Sequence, residues 1–251
     1  QSYFDDAIIS SVINDLVEQK GYSRDTAQLL LYTGGLKIVS PIDVDIQAAM
    51  DEVFTDTDNF PGKMGTDGTM PQAAMVLMDP YTGEVKALYG GRGEKQGNRV
   101  LNRATQTKRS PGSSIKPLTV YAPAIVAGLI TPITVIDDVP KNFEIRESGW
   151  PKNENNVYGG KTTILRGIAQ SLNTIAVDVT TRLTPEKSFD FAYNRLNMST
   201  LVRSRTVTKK NGDTEVQSDV SLGPMALGGL TDGVTVIDMA AAYSSFTNDG
   251  Y

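Results

Sequence analysis

Residues 109–125 read RSPGSSIKPLTVYAPAI, a serine three positions ahead of a lysine where an apolar helical run begins. Positions i and i+3 share a helical face, so Ser113 and Lys116 can meet over the first turn. Free backbone N–H groups there favour developing negative charge. The pattern suits acyl transfer by a serine with a lysine as its base. A plainer reading competes: Ser113 or Ser114 caps the helix, Pro117 marks its first turn, and Lys116 points into water.

Composition bears on that choice. The chain has neither histidine nor cysteine, which excludes a serine-histidine-aspartate triad, a cysteine nucleophile and a zinc site of His/Cys type within these 251 residues. A serine nucleophile would then need another base. A lysine whose pKa is depressed by burial or by neighbouring positive charge is the remaining common kind. The net charge of −5 and the isolated basic pairs Lys108-Arg109 and Lys209-Lys210 argue against a nucleic-acid partner. No apolar run reaches membrane-spanning length and no signal peptide precedes Gln1, so a processed chain or a piece of a longer one is expected.

The organisation changes near residue 60. Apolar residues at helical spacing over 3–18 predict one helix, and SRDTAQLLLYTGG predicts a second, capped by Ser23 and closed by Gly34 and Gly35. LKIVSPI reads as a strand and DIQAAMDEVF as a third helix; TDTDNFPGKMGTDGTMP is the expected linker or exposed loop. Beyond it, AAMVLMDPYTGEVKALYGG predicts a hairpin around Asp79-Pro80-Tyr81-Thr82-Gly83, and SRTVTKKNGDTEVQS another around Asn211-Gly212. Helical segments are expected over 115–126, 163–169, 174–183 and 236–246. Strands followed by helices give an α+β class.

A second polar motif stands downstream. LRGIAQSLNTIAVDV holds the only Ser-x-Asn in the chain, Ser171-Leu172-Asn173. A serine hydroxyl there can relay a proton to a leaving nitrogen, and an asparagine amide can hold a lysine or a substrate carbonyl. The alternative is a helix-helix joint in which Ser171 ends one helix and Asn173 caps the next.

Taken together, Ser113-x-x-Lys116 and Ser171-x-Asn173 resemble the transpeptidase domain of the penicillin-binding proteins, whose pattern is Ser-x-x-Lys, Ser-x-Asn, then Lys-Thr-Gly. AAMVLMDPYTGEVKALYGGR, NRATQTKRSPGSSIKP, GGKTTILRGIAQSLNT and GPMALGGLTDGVTVIDMAAAYSSFTNDGY are similar to the bifunctional, class A branch. The resemblance implies the serine penicillin-recognising fold, an antiparallel sheet with flanking helices and a helical subdomain. It implies an N-terminal helical and linker region over residues 1–70 and a transpeptidase domain over 71–251. In the family this domain lies outside the cytoplasmic membrane, tethered by an N-terminal helix and preceded by a glycosyltransferase domain, neither of which is expected within these residues.

The implied reaction is acyl transfer on peptidoglycan stem peptides. Ser113 would attack the carbonyl between two terminal D-alanines with Lys116 as base, Ser171 would pass a proton to the leaving nitrogen, and Asn173 would hold Lys116 and the substrate amide. β-Lactams would acylate the same serine. The resemblance implies no metal and no cofactor. Trp150, the only tryptophan, is a candidate cleft-lining residue or a packing residue.

The third motif departs from the pattern. Lys187, Lys209 and Lys210 are the lysines after Asn173, and none precedes Thr-Gly; Lys161-Thr162-Thr163 lies upstream and lacks the glycine. The resemblance therefore implies a chain that stops short of the Lys-Thr-Gly strand and needs a C-terminal segment of the same protein as its partner. Other readings stay open. A D,D-carboxypeptidase or β-lactamase would share the four residues, although the Glu-x-x-x-Asn of class A β-lactamases does not occur after Asn173. A β-lactam sensor would acylate and stay acylated, and a wall-binding module would not need Ser113.

Overall fold

The computed structural model describes residues 1–140 and 149–250, so Tyr251, the last residue of the expected catalytic domain, lies outside the described residues. Two compact units divide the chain: residues 1–107 with 235–251, and residues 108–234.

In the first unit, α1 (Tyr3–Lys20) starts at Ser2, whose hydroxyl accepts from the Asp5 N–H while the Asp5 carboxylate accepts from the Ser2 N–H. Gly21, at φ 71°, ends it, and α2 (Arg24–Thr33) follows under the expected Ser23 cap. Asp43 caps α3 (Val44–Thr55). The first expected hairpin forms as β1 (Met75–Met78) against β2 (Val85–Tyr89), with Met75 opposite Tyr89 and a register shift between Leu77 and Met78. Gln47 of α3 clamps β2, its amide donating to the Leu88 carbonyl and accepting from the Leu88 N–H. That amide occupies backbone groups a neighbouring strand would otherwise take. Tyr3, Phe4, Met50, Phe54, Leu88 and Tyr89 form the core, and α9 (Val236–Ser244) packs on β1.

LKIVSPI, expected as a strand, is not one. Residues 36–42 run outside any ladder among the described residues, with Leu36 and Ile38 exposed and Val39 83% exposed. A strand needs a partner along its length, and Pro41 removes a donor within the run. The segment meets β2 through the Asp43 N–H on the Lys86 carbonyl.

In the second unit the helical segment expected over 115–126 forms in three pieces. They are a 3-10 turn (Gly112–Ile115), a π-helical turn (Pro117–Tyr121) and α4 (Ala122–Val126). Pro117 and Pro123 cannot donate to an i→i−4 ladder, so the backbone changes hydrogen-bonding register around them. Strands β3 (Val135–Asp138) and β4 (Gly160–Thr163) pair antiparallel, then α5 (Ile164–Ala169) and α6 (Asn173–Leu183) follow as expected. The unit continues with α7 (Pro185–Asn194), the expected hairpin β5 (Arg205–Thr208) with β6 (Thr214–Gln217), and α8 (Leu222–Leu227). Its core centres on α6, buried from Thr174 through Thr180, against Val120, Ile136, Ile164 and Ala226. Helices and antiparallel pairs together give the expected α+β class.

Candidate active site

The segment carrying Ser113 is fixed from both sides. Upstream, Arg109 and Val234 exchange N–H to carbonyl hydrogen bonds, both 2.9 Å. Downstream, the buried Thr119 hydroxyl donates to the Met225 carbonyl at 2.6 Å, and the Thr119 carbonyl accepts from the Ser188 hydroxyl at 2.6 Å. These bonds hold the turn to α7 and α8, which leaves Ser113 exposed on a rigid frame.

Lys116 is not in water. It is 2% exposed, and its ammonium donates to the Ser171 carbonyl (2.7 Å), the Ser171 hydroxyl (3.1 Å) and Asn173 Oδ1 (2.7 Å). Three acceptors match its three N–H bonds. Burial pulls the Lys116 pKa down from the usual lysine value to about 8, while the Glu154 carboxylate acts the other way. The capping alternative fails here: the 3-10 turn has no side-chain cap, and the Ser114 hydroxyl donates back to Pro111. No Ser113–Lys116 hydrogen bond forms among the described residues, as is common before a reacting group tightens such contacts.

Ser171 sits in the turn between α5 and α6 at φ 52°, a left-handed conformation rare for a serine. The Ser171 and Leu172 N–H groups bond back to the Ile168 and Gly167 carbonyls, which closes α5. Asn173 does not cap α6; it is the helix's first residue, and its side chain joins Lys116 and the Lys152 carbonyl instead.

Ser113, Ser171 and Asn173 line one open cleft of about 900 Å³ together with Glu154, Arg166 and Gln170. Trp150 is not in that lining; it packs against the apolar core of the second unit. Glu154, Arg166 and Gln170 carry no short motif, so sequence reading passed over them. The arrangement supplies an exposed hydroxyl, a buried amine able to lose its proton near neutral pH, and a second hydroxyl already bonded to that amine.

Comparison with known proteins places these features in context. The model of the penicillin binding protein transpeptidase domain matches residues 73–251. Penicillin-binding protein 1A of Clostridium tetani is 33% identical over 263 residues, covering 99% of this chain and 31% of that protein. The chain spans about a third of the length of the curated relatives it matches. The structure of PonA1 from Mycobacterium tuberculosis in complex with penicillin V matches with a TM-score of 0.70 at 23% identity, covering 96% of this chain and 58% of that one. That likeness is one of fold. Penicillin-binding protein 1A from Haemophilus influenzae matches with a TM-score of 0.56 at 26% identity, over 74% of this chain and 26% of that one.

Proposed function

This chain belongs to the penicillin-binding protein transpeptidase family, and on that footing we propose that it carries the serine acyl-transfer site of a peptidoglycan D,D-transpeptidase. The observation that carries the reading is the buried Lys116 ammonium, bonded at once to Ser171 and Asn173. A solvated lysine would stay protonated at neutral pH; one held near 8 gives up its proton at small cost and can receive another.

Neutral Lys116 takes the proton of Ser113 as the Ser113 oxygen attacks the carbonyl between the two terminal D-alanines of a stem peptide. The Ser113 N–H supports the oxyanion. The carbon–nitrogen bond then breaks, and the proton passes from Lys116 through the Ser171 hydroxyl to the departing D-alanine nitrogen. An amine of a second stem peptide attacks the acyl-serine, returns a proton along the same route and regenerates the Ser113 hydroxyl. β-Lactams acylate Ser113 by the first half of this sequence. A Lys-Thr-Gly strand from a C-terminal segment of the longer protein supplies the remaining oxyanion donor and the carboxylate contact. The setting is the outer face of the cytoplasmic membrane; among the described residues no helix is long and apolar enough to cross one.

Peptide mass mapping after exposure to penicillin tests this directly. In the full-length protein the adduct is expected on the peptide containing Ser113, and an adduct elsewhere, or none, overturns the reading. The acylation rate should also rise about tenfold per pH unit up to a midpoint near 8 and then level off, because only unprotonated Lys116 serves as base. A rate that falls on going from pH 6 to pH 8 would contradict that role.

A further inference from the structure

Behind the lysine, a buried carboxylate is joined to the helix that carries Asn173. Asp138, the last residue of β3, is 1% exposed. Its Oδ1 accepts from Asn153 Nδ2 at 2.8 Å and from the Thr174 hydroxyl at 2.5 Å, and its Oδ2 accepts from the Gly159 N–H at 2.7 Å. Among the described residues every donor on it is neutral. Asn153, 3% exposed, donates also to the Val157 carbonyl at 3.0 Å, and its Oδ1 accepts from the Asn173 N–H (2.9 Å) and the Thr174 N–H (3.4 Å).

Those two N–H groups open α6, whose N-cap residue Leu172 offers no side-chain acceptor. Asn153, twenty residues upstream, provides the missing cap. Its amide can face the helix with oxygen only while its NH2 faces acceptors, and Asp138 together with the Val157 carbonyl enforces that orientation. The adjacent Lys152 carbonyl accepts from Asn173 Nδ2 at 2.8 Å. Residues 152 and 153 thus hold the Asn173 backbone N–H and side-chain NH2, which leaves Asn173 Oδ1 turned to Lys116.

We infer that Asp138 and Asn153 are positioning residues for the acyl-transfer site: the carboxylate orients the Asn153 amide, and that amide sets the first turn of α6 so that Asn173 holds Lys116. This rests on the function proposed above. No hydrogen bond joins either residue to Ser113 among the described residues, and Asn153, which also lines the cleft, reaches Lys116 through Asn173.

A donor–acceptor swap tests it in the intact protein. In Asp138→Asn either amide orientation sets two donors face to face, toward Asn153 or toward the Gly159 N–H. In Asn153→Asp two carboxylates meet. In the double variant the new amide at position 138 donates through its NH2 to the new carboxylate at position 153, and its oxygen accepts from Gly159, which restores the pairing between 138 and 153 while the Val157 carbonyl loses its donor. Acylation by a fluorescent penicillin is followed by stopped flow, with the acylation step and the noncovalent dissociation constant separated and rates counted per titratable molecule. Each single variant is expected to lose about 10- to 100-fold in the acylation step, with the dissociation constant within about threefold. The double variant should recover at least about tenfold over either single. The pH midpoint of Asp138→Asn should fall, because the Lys116 ammonium loses an acceptor and a negative charge is removed nearby.

Should a single variant fail to fold, Thr174→Val removes one donor to Asp138, and about a threefold loss confined to the acylation step is expected. Unchanged acylation steps overturn the inference, as do losses seen only in the melting temperature or a double variant no faster than the worse single. If penicillin does not acylate Ser113 in the unmodified protein, the parent reading fails and takes this one with it. If it does and the swap has no effect, only this inference fails.

Discussion

Ser113→Ala should abolish covalent labelling by a fluorescent penicillin, and Lys116→Ala should slow it by about 100- to 10,000-fold. The first change removes the oxygen proposed to become acylated. The second removes the only amine bonded to Ser171 and Asn173 among the described residues. The decisive comparison is Lys116→Arg, which retains positive charge and donors for the Ser171 and Asn173 oxygens but cannot lose its proton near neutral pH. If Lys116 acts as base, the arginine variant is as slow as the alanine variant. If it acts only as a structural cation, arginine rescues. Intact-mass spectrometry over time distinguishes the two outcomes, and labelling of Lys116→Arg within tenfold of the unmodified protein would remove Lys116 from the chemistry.

Gly228→Ala is expected to destabilise the protein by about 2–5 kcal/mol and to slow acylation by about 100-fold in the molecules that still fold. Gly228 ends α8 in the left-handed region at φ 76°, where an L side chain is strained. A Cβ there would lie 2.2 Å from the Gly112 carbonyl oxygen and 2.8 Å from the Gly112 nitrogen. Those atoms are backbone and cannot rotate aside, so the segment must shift, and Ser113 is the next residue. Gly223 supplies the control. It lies in α8 with open space where a Cβ would go and no positive φ, so Gly223→Ala should be neutral or stabilising by up to about 1 kcal/mol. Denaturant melts and acylation rates on both variants decide the matter. Equal behaviour of the two would show that close approach at Gly228 does not position Ser113.

Several features were legible in sequence because their causes are local. The Asp79–Gly83 and Asn211-Gly212 turns announce their hairpins through residues that tolerate tight backbone geometry, and both hairpins form. Ser23 lies at the start of α2 and caps it. The β3–β4 pair gives no such signal: each strand has four residues, and 21 residues separate them, so no turn chemistry links the two. LKIVSPI has the composition of a strand but acquires no partner, because pairing is settled by what lies alongside.

The same division runs through the site. Sequence by itself determined which groups are available: with no histidine or cysteine in the chain, a serine nucleophile depends on lysine, and Ser-x-x-Lys with Ser-x-Asn names the candidates. Tertiary structure decided what those groups can do. Lys116 meets Ser171 across 55 residues of chain, and the core that excludes water around it lowers its pKa. Asn173 turns to Lys116 instead of capping α6, because Asn153 takes the cap. Side-chain identity is written along the chain, but desolvation and the competition for hydrogen-bond partners depend on atoms that only folding brings within a few ångströms.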